Sequence, residues 1–207
     1  MQLTHRFIHG IRFDTELHYA IKPNSRSVSY IPLPIKTDRD KDQDGGLLSL
    51  AQAVTILTQK RFTSVAQSLI AQGITHPDKL KHQSQIVVAG QSIHVQHLQH
   101  ADCEDIGKVG KVIMASIAQG HDCIIRLSTD TQSFWGLVVG VEYECAAHRA
   151  KALLLLDSQE YEPWCTGHNT RLKLGRQFCA YRVLTGGYKE VQLKQVCLLS
   201  QATAAPV

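Results

Sequence analysis

The second half of the chain constrains the fold most. Six apolar, β-prone runs follow one another there with turn residues between them: C-I-I-R-L-S, W-G-L-V-V-G-V-E-Y, A-L-L-L-L-D, R-L-K-L, Q-F-C-A-Y-R-V-L and V-Q-L-K-Q-V-C-L-L. Runs of this length and composition read as strands. Gly186-Gly187, between the last two, has the chemistry of a hairpin turn. No helix follows it, so it carries no phosphate-binding implication.

The first half is organised differently. Residues 1–36 read as an extended arm, with Pro32 and Pro34 restricting its last piece to an edge or a connection. The charged stretch Thr37 to Gly46 has no apolar residue and belongs on the surface. Leu47, Leu50, Ala51, Val54 and Leu57 then recur at helical spacing, predicting a helix from Gly46 to about Lys60 with Asp44 near its start. A second helix is expected from Thr63 to Ala71, stopped by Gly73, and a short third one after Pro77. I86-V-V-A and I93-H-V-Q-H-L read as short strands or irregular core segments. Asp102 is placed to cap a further helix through Ala118, weakened by Gly107 and Gly110. Helices grouped ahead of a series of strands predict an α+β domain, helices packed on an antiparallel sheet, spanning residues 1–200 with a tail at 201–207.

Composition narrows the function classes. At 207 residues, 43% apolar and 19% charged, the chain has the profile of one ordinary globular domain. A net charge of +4 without a long basic run, and only 6% aromatics, gives no indication of nucleic-acid binding. The longest apolar run, Ala152 to Leu156, is far short of the ~18 residues a membrane span requires. The first ten residues lack a signal-peptide core, and the expected location is the cytoplasm. Six cysteines, all from residue 103 onward, are too few for a disulfide scaffold, so reduced thiols are the default.

Several pieces in order carry a resemblance: a polar segment ending Asp44-Gly45-Gly46, the helix L-L-S-L-A-Q-A-V-T-I-L, a helix ending A-S-I-A-Q-G, the strand W-G-L-V-V-G-V and the strand L-L-L-L-D. Together, from Asp38 to Asp157, they resemble the papain-like bacteriocin-processing (double-glycine leader) peptidases. The resemblance implies a papain-like fold. It also implies a nucleophile slot at Gly45, a general-base slot at Phe134 and an orienting carboxylate at Asp157. Gln43 stands too close to Gly45 to match the family's oxyanion-stabilising glutamine. Glycine has no side chain to attack with and phenylalanine accepts no proton, so thiolate–imidazole acyl transfer is excluded at these positions. The expected role is a catalytically inactive relative that binds a peptide or partner protein in the former cleft, using Gly46, Trp135 and Trp164, without a cofactor.

Other residues set alternatives beside this one. Cys145-Ala-Ala-His148 and Cys165-Thr-Gly-His168, 16 residues apart, offer the ligand set of a structural zinc site. The second strand would run ~20 Å away from the first pair, which argues against it. Cys103 or Cys123 with His121, Asp122 or His148 would be a rearranged nucleophile and base for an active thiol hydrolase. The acidic neighbours Asp102, Glu104 and Asp105 disfavour a thiolate at Cys103. His94, His97 and His100 recur every third residue, a spacing that splits between two faces on a strand and is unexceptional among eleven histidines. The charged run Asp38 to Asp44 lacks the ligand spacing of a calcium loop.

Overall fold

The computed structural model describes residues 45–98, 103, 105–144, 149–157, 168–175, 179–183 and 187–202, and the backbone of 4–8 and 19–21. In chain order its elements are strands β1 (Thr4–Ile8) and β2 (Tyr19–Ile21), helices α1 (Gly46–Thr58) and α2 (Phe62–Ala71), a 3₁₀ turn (Pro77–Leu80), strands β3 (Gln85–Val88) and β4 (Gln91–Leu98), and helix α3 (Ile106–Ala118). Then come β5 (Asp122–Ser128), β6 (Ser133–Glu144), β7 (Arg149–Leu156), β8 (Thr170–Lys173), β9 (Cys179–Val183) and β10 (Tyr188–Gln201).

The six apolar runs between residues 123 and 199 form β5 to β10. Each pairs antiparallel with the next, and β10 returns to pair with β5, so the sheet closes into a six-stranded barrel. This overturns the α+β expectation of helices on an open antiparallel sheet, and with it the papain-like fold. Closure follows from local irregularities. The register slips in β6 between Val138 and Gly140, in β7 between Ala150 and Ala152, and in β10 between Leu193 and Gln195. Such bulges add twist and bend the strand, which is what brings the first and last strands of a sheet together. Strands β6 and β10 also exchange partners along their length. β6 leaves β5 for β1, and β10 leaves β9 for β4, which hairpins with β3. That hairpin turns on Ala89 and Gly90, both at positive φ (49° and 79°), the signature of a type I′ turn.

Strand alternation sorts side chains into two cores. Facing the lumen are Cys123, Ile125, Leu127, Phe134, Val138, Val141, Leu153, Leu155, Leu172, Tyr181, Val196 and Leu198, joined by Val109, Ile113 and Ile117 of α3. The outer wall contributes Ile124, Trp135, Leu137, Val139, Leu154, Cys197 and Leu199, packed under Leu50, Ala51, Ala53 and Val54 of α1 and Val65 and Leu69 of α2. These strands are buried on both faces, which is why they read as unbroken apolar runs such as L-L-L-L rather than as alternating ones.

The helices depart from expectation only at their ends. α1 begins at Gly45 in the left-handed region (φ 70°), a conformation glycine adopts without strain, with no side-chain cap. Asp44 lies outside the described residues. α2 closes as a Schellman motif on Gly73: Gly73 donates its N–H to Ile70 and Ile74 to Leu69. α3 is capped by Asp105, whose carboxylate accepts from the Lys108 N–H at 3.1 Å, three residues beyond the expected Asp102. Gly110 lets α3 approach the barrel, because a Cβ there would stand 3.1 Å from that of Ala150 and 3.0 Å from Leu174.

Candidate functional site

Phe134 and Asp157 meet through a third residue inside the barrel. The Phe134 ring lies edge-on to Tyr181, with centroids 5.1 Å apart, and the Tyr181 hydroxyl donates to the Asp157 carboxylate. Asn169 fixes this end of β7 with its side chain, accepting from the Asp157 N–H at 2.8 Å and donating to the Asp157 carbonyl at 2.7 Å. Both Asp157 and Asn169 are buried. Gly45 and Gly46 belong to the start of α1, which packs on the opposite, outer face of the same wall. Trp135, next to Phe134 in sequence, points to that outer face and is 0% exposed. A strand's period of two therefore separates Phe134 from Trp135. Trp164, His148, His100, Cys145 and Cys165 lie outside the described residues. Of the proposed zinc ligands only His168 is described, and it is buried. Among the described residues no group of three or more His, Cys, Asp or Glu is placed to hold a metal ion.

The described thiols sit in the two cores. Cys103, Cys123, Cys179 and Cys197 are all buried, and none is in a disulfide. Burial pushes the Cys123 thiol well above its ordinary range, with the neighbouring Cys197, Asp122 and Cys103 adding to the rise. Burial does the same at Cys179 and Cys197. A contact that sequence spacing gave no sign of lies on the outer wall, where Cys197 and His97 are register partners across β10 and β4. Cys197 Sγ stands 3.9 Å from His97 Nε2, and Gln195 Nε2 is 3.3 Å from His97 Nδ1. Desolvation lowers the His97 pKa, partly opposed by its hydrogen bond to the Leu80 carbonyl and by Asp78. The two groups are thus a protonated thiol beside a neutral imidazole, not a thiolate–imidazolium pair. His94 is exposed, so the strand divides it from His97 by a change of accessibility along β4.

Comparisons with protein-family models and with curated proteins return no match.

A partly exposed polar constellation lies on the same outer wall, centred on Asp78. Its carboxylate pairs with Lys81 at 2.9 Å through Oδ1 and with Arg126 at 3.2 Å through Oδ2, and the same Oδ2 lies 3.3 Å from His76 Nδ1. The His76, Asp78, Lys81 and Arg126 side chains are 25%, 29%, 36% and 29% exposed, open to a ligand yet anchored. Anchoring comes from three directions. His76 caps the 3₁₀ turn by accepting from the Asp78 N–H at 3.1 Å, and its ring stands edge-to-face with Trp135 at 5.8 Å. Arg126 is the cross-strand neighbour of both Trp135 and Gln195. His97 holds the Leu80 carbonyl from beneath. In the sequence Asp78 stands out only by its place after Pro77, at the start of the expected short third helix, and nothing local marks Arg126. The one available signal was the density of basic and titratable side chains in His76-Pro-Asp-Lys-Leu-Lys-His82.

Proposed function

We propose that the protein is a non-catalytic binding module that recognises a peptide segment of a partner protein on the outer wall of its barrel. The reading rests on one contrast: the described thiols are buried while a group of charges is open and rigid. Acyl transfer through Cys123, Cys179 or Cys197 would require exposing a thiol and ionising it against the burial that raises its pKa. The charges around Asp78 are held by a capped turn and two paired strands. A surface ordered before the partner arrives loses less conformational freedom on binding. Gly46 and Trp135 then act from below, as buried support rather than as direct contacts. No helix among the described residues is long and apolar enough to cross a membrane.

The test is selection of a displayed random-peptide library on the purified protein, with a thiol-directed electrophile time course run in parallel. Enrichment of a related set of peptides, with slow labelling of every described cysteine, is the expected result. Failure to enrich any peptide, or a fast-labelling cysteine accompanied by cleavage of library peptides, overturns the reading.

A further inference from the structure

We infer that the partner's peptide is acidic and that its carboxylates dock on Lys79, Lys81 and Arg126. The inference rests on the peptide-binding reading above and assigns it a surface and a ligand chemistry. Lys79, Lys81 and Arg126 bring three positive charges against one carboxylate, because Asp78 pairs with both Lys81 and Arg126. Lys79 is exposed in the same turn and has no ion-pair partner among the described residues. The excess is therefore positive, and it is concentrated on a single turn and the strand beneath it.

The arrangement also favours carboxylates over a phosphate backbone. Asp78 sits in the middle of the cations and would repel a continuous line of phosphates, whereas separate carboxylates can straddle it. Arg126 uses Nη1 for Asp78, which leaves the rest of its planar fork for a second carboxylate. Ligands of this kind gain on-rate and specificity from the field more than raw affinity, and binding weakens as salt is added.

The experiment is fluorescence anisotropy with a labelled octapeptide of glutamates, against octapeptides of lysine and of alternating Gly and Ser, and against a single-stranded oligonucleotide. Expected are binding of the glutamate peptide alone, a loss of roughly ten-fold or more in Arg126→Gln, and abolition in the double variant Lys79→Glu with Lys81→Glu. Lys111→Ala, on exposed α3 surface, should bind as the parent does. Circular dichroism establishes that the variants are folded; Lys79 and Lys81 are surface groups, so their reversal keeps the test open even where Arg126→Gln unfolds. The inference is overturned by equal binding of the neutral peptide, by tighter binding of the oligonucleotide, or by full glutamate-peptide binding in the charge-reversed variant. Library peptides that enrich but are not acidic, and that bind the reversed variant unchanged, sink this inference and leave the binding-module reading standing. A library that enriches nothing sinks the module reading itself.

Discussion

Gln52 provides a sharp test of how α1 is packed. The residue lies in the middle of the helix at 2% exposure, and among the described residues neither its amide oxygen nor its amide nitrogen has a hydrogen-bond partner. Burying an amide without partners costs about 1–3 kcal/mol on the scale set by protein variants. Gln52→Met keeps an unbranched chain of the same reach and a similar helix propensity, so the substitution removes the polar atoms and little else. The expected result is stabilisation of about 1–3 kcal/mol, equivalent in a chain of this size to a melting temperature higher by roughly 2–4 °C per kcal/mol. Urea unfolding is the assay, because an unchanged slope with a raised midpoint identifies a change in stability alone. Two residues earlier on the same helix, Leu50 is fully buried in the outer core, and Leu50→Ala should move the midpoint the other way, by about 2–5 kcal/mol. A Gln52→Met protein destabilised by 1 kcal/mol or more would refute the reasoning, since only a bonded amide loses that much on removal.

Three further outcomes follow from the same geometry. Tyr181→Phe deletes the hydroxyl that donates to the buried Asp157 carboxylate and should cost about 1.5–3 kcal/mol in urea unfolding, the range for a hydrogen bond to a charged group; no change would mean that the pair contributes nothing. Gly110→Ala gains helix propensity but places a Cβ 3.1 Å from the Ala150 Cβ on β7, so net destabilisation of about 1 kcal/mol is expected, and a stabilised variant would show that α3 can move away from the barrel. His97 binds its proton less readily folded than at its ordinary value of 6.5. The unfolded chain therefore takes up more protons as pH falls below that value, and stability present above it is lost on acidification until the folded group also titrates. Melting curves from pH 8 to 5 should show this loss reduced in His97→Gln, and an unaltered pH dependence would remove His97 as its source.

The candidate site was legible only in fragments. Cys197 and His97 are 100 residues apart, and Arg126 is 48 residues from Asp78, distances at which no local spacing rule operates. Phe134 and Trp135 are adjacent in sequence, and the resemblance to the leader peptidases assigns both to one cleft, Phe134 as the general-base slot and Trp135 as a peptide contact. In the strand they face opposite cores, because alternation along β6 overrides adjacency.

Local chemistry alone determined the six strand runs, the apolar stripe of α1, the Gly73 stop of α2 and the reduced state expected of the cysteines. Each of these depends on a few consecutive residues: side-chain shape, helical or strand period, or a glycine at positive φ. Tertiary structure decided that β5 and β10 meet, that α1 lies against the outside of the wall they close, and that charges from a 3₁₀ turn and a strand gather on Asp78. Closure depends on the summed twist of six strands and on bulges near Gly140 and Gln195, and a bulge shows itself only once the partner strand fixes the register.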